Sequence, residues 1–214
     1  MKHSNAIAWG LIMASFAIGA FYYNELPDPM PTHFGLDGQP DRFTPLPWGA
    51  FLLPMVSIGV FLFMKLLPAI SPKEFSMDRF VGAYEKVLVA VVGMLVLVQF
   101  VVMQIATGAV FNLLPWVSVL VGVLLLVVAN YMTKTEPNFF FGIRTPWTIA
   151  NDEVWFRTHR HGAYLFALAG VVMILGSPFA LGFYVSIGLI VVIVVWLVVY
   201  SYILYVKISN KAPE

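Results

Sequence analysis

Long apolar runs separated by short polar segments dominate this chain. A helix needs about 20 apolar residues to cross the roughly 30 Å hydrocarbon core of a bilayer. Six runs of suitable length occur, covering about residues 6–23, 48–67, 87–107, 113–131, 163–183 and 185–206. The pattern predicts an all-α polytopic membrane protein with six transmembrane helices. Because the first run lacks a small-x-small cleavage site and ends in aromatic residues, we interpret it as a helix rather than a signal peptide.

Composition and charge support this interpretation and add an orientation. Of the 214 residues, 60% are hydrophobic and 11% are charged, whereas soluble domains carry about 25% charged residues. The net charge of +1 argues against direct nucleic-acid binding, and the absence of cysteine excludes disulfides and thiolate metal sites. Eleven of the twelve Lys and Arg residues, Lys211 among them, lie in the tails and alternate loops of one side, and Arg42 is alone on the other. This asymmetry predicts that both termini are cytoplasmic.

The outer loop, residues 24–47, is acidic by three charges and rich in proline. Prolines at alternate positions favour an extended, polyproline-like path. His33, Asp37 and Asp41 are external candidates that could meet around a divalent metal, since imidazole and carboxylate suit zinc or manganese. Their spacing is not specific, and the alternative is a rigid loop in which Asp37 binds backbone amides and His33 packs or caps. No other cofactor is predicted.

The loop after the second run begins with a helix-start pattern. Ser71 stands at an N-cap position before Pro72, and Glu74 could complete a capping box. Apolar residues then recur at helical spacing through residue 88. We predict a short cytoplasmic amphipathic helix over Ser71–Lys86. It would lie at the membrane interface or dock a soluble partner.

The second inner loop, residues 130–162, holds the densest set of polar and aromatic residues. Asn151 is a good N-cap, and Trp155, Thr158 and His159 then share one helical face. An ordered loop followed by a helix that can continue into the fifth run is therefore predicted. His159 has the chemistry of a general base, but no Ser or Cys nucleophile and no carboxylate pair accompanies it. The alternative is that His159, Trp155 and Arg144 fasten the loop to the helix ends by hydrogen bonds.

Few polar groups lie within the apolar runs. Gln99, Gln104 and Asn130 stand out, and polar side chains in a membrane usually face the bundle interior. Apart from Lys65, near the inner end of the second run, no Asp, Glu, Lys or Arg lies inside the predicted spans. This absence disfavours a proton-coupled pump or a channel for charged substrates.

Two loop motifs together resemble the SdpI family of bacterial integral membrane proteins. The outer loop has the Pro-x-His and Gly-x-Pro-Asp pattern of a short membrane domain of unknown function that commonly precedes the SdpI region. The inner loop has an Asn before it, a Phe-Gly-Ile-Arg-Thr-Pro-Trp-Thr string over residues 141–148, and an Asn-x-x-x-Trp-x-x-x-His helix. The resemblance divides the chain into an N-terminal unit, residues 1–70, and an SdpI-like unit, residues 71–214.

The resemblance implies a location in the bacterial cytoplasmic membrane and a function. The family's eponym protects a producing cell from a secreted, membrane-active toxin peptide and holds a soluble repressor at the membrane. By this resemblance the expected partners are the lipid bilayer, a peptide toxin outside and a cytoplasmic regulator inside. The family implies no catalytic residues, so an enzyme is the less favoured hypothesis. The alternative is a membrane-embedded hydrolase, with or without a metal, or another enzyme that uses the polar residues at the helix ends. The inner candidates for function are Asn130, Arg144, Thr145, Trp147, Asn151, Trp155 and His159.

Overall fold

The computed structural model describes residues 2–109, 112–179 and 181–210, so Lys211 lies outside the described part. Helices make up most of it, as the apolar runs predict. In chain order they are α1 (Lys2–Tyr22), α2 (Trp48–Ala69), α3 (Val81–Ala106), α4 (Leu113–Met132), α5 (Pro146–Ala150), α6 (Asp152–Gly176) and α7 (Gly182–Ser209). Two strands, β1 (Met30–Phe34) and β2 (Pro40–Thr44), lie between α1 and α2.

Five of the described helices, α1 to α4 and α7, belong to segments long and apolar enough to cross a membrane. Their bounds match five of the six predicted runs to within a few residues, apart from α3, which begins six residues early. The exception is the run at 163–183. There the helix α6 ends at Gly176, residues 177–179 form a turn, and the first turns of α6 are polar. Six spans and the side of the termini therefore stay predictions.

The end of α6 has a local cause that we did not recognise in the sequence. Gly176 is followed by Ser177 and Pro178, a sequence that commonly stops a helix. The chain then turns so tightly that a Cβ on Gly182 would overlap the Gly176 carbonyl. The apolar run at residues 163–183 thus contains the end of one helix and the turn that leads to the next.

Glycine pairs and small residues set how the C-terminal helices pack. A Cβ on Gly122 of α4 would lie 2.8 Å from the Gly170 carbonyl oxygen of α6, and the reverse distance is 2.7 Å. Two backbones in such contact are typical of membrane helix pairs. On the other face of α6, Ala169 packs with Ile193 and Leu197 of α7. Helix α6 is therefore held between α4 and α7.

The N-terminal helices share a core with α3. Ala8, Ile12, Phe61, Leu88 and Val92 form one buried cluster, which joins residues on both sides of the predicted unit boundary at 70/71. The division into two units stays a prediction.

Two polar side chains of α3 add contacts between helices. Gln99 donates to the Ala50 carbonyl at 3.0 Å, and Gln104 donates to the Tyr22 hydroxyl at 2.8 Å. These glutamines thus face neighbouring helices, as expected for polar groups inside a bundle.

The predicted amphipathic helix over Ser71–Lys86 is wrong for residues 71–80, whereas residues 81–86 are helical and continue into the third span, as predicted. Two short 3-10 turns, Lys73–Phe75 and Asp78–Phe80, precede α3 instead. The Ser71 hydroxyl donates to the Phe75 carbonyl and makes no N-cap. Extended backbone at Ser76 interrupts the segment, and short isolated helices are only marginally stable. Tertiary packing thus determines the local conformation.

The apolar side chains of this segment are nevertheless buried, as their spacing predicts. Met77, Phe80 and Tyr84 form a cluster against Phe140 and Phe141 of the inner loop. Glu85 is 3% exposed within α3 and receives a hydrogen bond from Lys65 of α2 at 3.2 Å. The start of α3 is therefore tied both to α2 and to the inner loop.

The outer loop corrects two further expectations, the purely α-helical fold and the polyproline-like path. Strands β1 and β2 pair antiparallel, with Met30 opposite Thr44 and Phe34 opposite Pro40. We call residues 30–44 the outer hairpin. Prolines are compatible with it because both strands are edge strands, where an absent N–H need not break the pairing. The hairpin is anchored by Met30, which is fully buried beneath the start of α2.

Candidate functional site

The inner loop and the start of α6 form one hydrogen-bonded unit, residues 132–162, which we call the signature platform. Its first turn is organised by Asn138, whose side chain is fully buried. The amide oxygen accepts from the N–H groups of Phe140 and Phe141, and the amide nitrogen donates to the carbonyls of Glu136 and Phe141. We did not select Asn138 from the sequence, although asparagine after proline is a known turn signal.

His159 fastens the next part of the platform to α6. Its Nε2 accepts a hydrogen bond from the Ile143 N–H at 3.0 Å, and its Nδ1 lies 2.8 Å from the Trp155 carbonyl. This network assigns the neutral tautomer with the proton on Nδ1, because Nε2 must accept and a carbonyl cannot donate. Both ring nitrogens are therefore occupied.

The environment of His159 also determines its protonation. The side chain is 1% exposed and precedes the apolar part of α6. Burial lowers the pKa of His159 to about 4, and the hydrogen bond to the Trp155 carbonyl opposes this only in part. The imidazole is thus neutral near pH 7, but neither nitrogen is free to take a proton from a substrate.

The close approach of the loop to His159 requires glycine at position 142. Gly142 has φ +113°, where L side chains are rarely found, and a Cβ there would overlap Nε2 of His159. The glycine in the Phe-Gly-Ile-Arg string is therefore a packing requirement.

Trp155 and Arg144 complete the fastening. The Trp155 indole N–H donates to the Thr135 carbonyl at 3.0 Å, and its ring stacks on His159 with the centroids 4.0 Å apart. The exposed Arg144 donates to the Phe139 carbonyl. The structure thus shows His159 and Trp155 attaching the loop by hydrogen bonds, as in the alternative, whereas the hydrogen bond of Arg144 lies within the loop.

Short α5 connects the platform to α7. Thr145 caps α5 and forms a capping box with Thr148, and its hydroxyl is 3.0 Å from that of Ser201 in α7. The ring of Trp147 lies 5.0 Å from that of Tyr202. The C-terminal part of α7 is thus part of the same assembly.

Asn151 caps α6 as predicted, accepting from the Val154 N–H at 3.0 Å. Trp155, Thr158 and His159 share the buried face of this helix, also as predicted. His161 faces away and accepts a hydrogen bond from the Trp196 indole of α7.

Asn130 stands apart from the other inner candidates. It is exposed at the end of α4, and its side chain makes no hydrogen bond to another described residue. It lines a groove between α4 and α6.

The external candidates lie at the opposite end of the bundle, in the outer hairpin. His33 Nδ1 and Asp41 Oδ1 are 2.5 Å apart, and this hydrogen bond is the main cause of the lowered pKa of Asp41. Asp37 accepts from the Gln39 N–H, which is the amide contact expected of it in a rigid loop. In the described ranges, no three His, Asp or Glu side chains are grouped for a metal ion. The metal hypothesis stays a prediction.

The fold and the two sets of candidates define a multi-pass helical membrane protein with an ordered loop at each end. The model described as the SdpI/YfhL protein family matches residues 134–205, which include most of the platform and α7. A model described as a domain of unknown function (DUF1648) matches residues 10–58, which include the outer hairpin.

A curated relative is similar over nearly the whole chain. Immunity protein SdpI of Bacillus subtilis (strain 168) is 24% identical over 210 residues, covering 97% of this chain and 98% of that protein. The resemblance to the SdpI family is confirmed. No solved structure matches this chain.

Proposed function

We propose that this protein is an immunity protein of the bacterial cytoplasmic membrane, which protects the cell from a secreted, membrane-active peptide toxin. The observation that carries the proposal is the similarity to Immunity protein SdpI across 97% of the chain. Similarity of this extent includes both ends of the bundle rather than one motif. In the proposed arrangement the chain crosses the membrane six times with both termini in the cytoplasm.

The outer hairpin is the proposed contact for the toxin. Its carboxylates exceed its single arginine, so it complements a cationic peptide, which would be steered towards it. Leu36 and Phe43 are 77% and 53% exposed on the same hairpin. Acidic and apolar groups side by side suit an amphipathic, cationic peptide. The Tyr184 hydroxyl holds the tip by donating to the Leu36 carbonyl.

The proposed contact for a cytoplasmic regulator is a groove at the other end. The segment before α3 and the signature platform meet there around a cavity of about 520 Å³. Arg79 pairs with Glu136 at 2.9 Å, and the rings of Phe75 and Phe139 are 4.5 Å apart. The two inner segments that the sequence offers as separate contacts thus form one continuous surface. Its charges of both signs suit a protein partner.

The hydrolase alternative has less support. A general base needs a free lone pair within reach of the proton that it removes, and both nitrogens of His159 are engaged within the protein. The platform is better suited to holding a surface in shape than to proton transfer.

Protection of sensitive cells tests the proposal. Bacillus subtilis cells lacking Immunity protein SdpI would express this chain and grow beside wild-type cells of the same species. We expect the chain to restore growth, and its failure to do so at a normal membrane level, measured by immunoblot, would overturn the proposal for this toxin.

Variants then separate the two ends of the molecule. Arg79→Ala opens the inner groove, and the expected result is retained protection with lost capture of the regulator, read out by a reporter gene under its control. Arg157→Ala removes an exposed arginine of α6 that does not line the groove and is the matched control. Equal reporter responses in both variants would contradict the proposed inner contact.

A further inference from the structure

A second groove, between α4 and α6, has no role in the arrangement described so far. It lies at the same end as the signature platform and has a volume of about 720 Å³. Its walls are Leu126, Ala129, Asn130, Thr133, Arg160, Ala163, Tyr164 and Ala167. It contains Asn130, the inner candidate that the hydrogen-bonded platform leaves out.

The polar part of this groove consists of hydrogen-bond donors. Arg160 contributes a guanidinium, Asn130 an amide, and Thr133 and Tyr164 a hydroxyl each, while no carboxylate lines the walls. Arg160 is exposed and makes no ion pair or hydrogen bond with the residues that the structure describes. Arg157, one turn earlier on the same helix, is already paired with Glu153 at 2.7 Å. The groove therefore offers an unneutralised positive charge surrounded by donors.

The rest of the groove is lined by small and apolar side chains. Ala163 and Ala167 are one turn apart on α6, and Ala129 and Leu126 follow α4 in the same direction, away from the charged end. Small side chains at these positions leave a slot along the two helices. A ligand that fits has an anionic head and an apolar tail.

We propose that this groove binds an anionic phospholipid. The phosphate lies on Arg160 and accepts from Asn130, Thr133 and Tyr164, and an acyl chain follows the alanine-lined slot. Arginine with neutral donors is a strong phosphate site, and basic pockets between membrane helices bind lipid headgroups on the cytoplasmic side. The proposal does not depend on any toxin.

Native mass spectrometry of the full chain in detergent tests this. Delipidated protein would be titrated with phosphatidylglycerol, phosphatidylcholine or inorganic phosphate. We expect one phosphatidylglycerol to bind in preference to phosphatidylcholine. Arg160→Gln should weaken that binding at least about tenfold, because the charge-assisted contact with the phosphate is lost. Arg157→Gln, the matched control, should leave it unchanged.

A second variant distinguishes a lipid from a free anion. Ala167→Leu fills the slot and retains every donor, so we expect it to weaken phosphatidylglycerol binding. Equal binding by wild type and Arg160→Gln overturns the proposal. Equal binding of the two lipids would overturn it as well, because the groove would then lack charge selectivity. So would phosphatidylglycerol binding that inorganic phosphate displaces and that Ala167→Leu leaves unchanged, because the groove would then lack a site for the tail.

Discussion

In the outer hairpin, the side chains of His33 and Asp41 are about half exposed and bind each other, whereas in the signature platform Asn138, Trp155 and His159 are almost completely buried. Both regions combine histidine with turn-forming residues, and each is matched by a family model of its own. The polar side chains of the hairpin are accessible at the surface. The polar side chains of the platform instead form hydrogen bonds with backbone groups of the inner loop.

This difference separates two reasons why a residue can belong to a motif. Buried polar groups must be hydrogen-bonded, since an unpaired one costs about 1–3 kcal/mol. Most of the platform motif meets that requirement for the loop itself. Exposed polar groups can bind water and need no partner within the protein. The outer hairpin, Arg144 and the residues of the α4–α6 groove are therefore the places where a partner can bind.

The largest effect should follow from Gly142→Ala. The new Cβ would need a rare backbone conformation and would displace the His159 ring. We expect a loss of about 3 kcal/mol of unfolding free energy, from backbone strain and the lost hydrogen bond. Unfolding of the purified protein in detergent measures it. Gly59→Ala, whose Cβ would have no neighbour within 4 Å, is the control, and equal unfolding free energies of the two variants would show that the platform is not tightly packed.

An effect of comparable size, spread over the whole range between the two pKa values, should come from acid. The pKa of His159 is lowered to about 4 in the folded protein, against about 6.5 for an ordinary histidine. Between these pH values the unfolded chain binds the proton and the folded one does not. Stability contributed by the neutral imidazole is therefore complete above about pH 6.5 and falls by up to about 1.4 kcal/mol per pH unit towards pH 4.

Chemical unfolding of the protein in detergent between pH 4 and 8 tests this dependence. His159→Gln cannot titrate, so its stability, lower at neutral pH, should change less over the same range. Parallel pH profiles for wild type and His159→Gln would mean that the side chain is not buried as the structure shows.

The smallest effect on stability should come from Asp41→Asn in the outer hairpin. Exposed ion pairs contribute little, so the unfolding temperature should stay the same, while protection against the toxin should weaken because the hairpin becomes less acidic. Glu153→Gln removes the same charge from an exposed pair at the other end and should leave protection intact. Equal protection by both variants would remove the hairpin from the proposed toxin contact.

Local patterns determined much of this molecule. The apolar runs located α1, α2, α4 and α7 closely because a membrane helix needs a long unbroken stretch. Asn151 and the face of Trp155, Thr158 and His159 were predictable too, since capping and helical spacing act within a few residues. The motifs themselves marked both ends of the bundle.

Contacts between distant segments were beyond those patterns. The Ser71–Lys86 segment has a helical sequence pattern, yet its residues up to Phe80, packed against Phe140 and Phe141, form two short turns before α3. The outer loop becomes a hairpin because Met30 is buried against the start of α2. Neither contact is visible along the chain.

The sequence by itself determined that this chain crosses a membrane and where its motif residues stand. The tertiary structure decided which of them are available to a partner. Backbone contact at Gly122 and Gly170 joins α4 to α6, and on that frame His159 reaches the Ile143 amide while Asn130 and Arg160 stay exposed in a groove. Whether a side chain is buried depends on how the helices pack together. Residues in similar local sequence patterns can therefore be buried in one case and exposed in another.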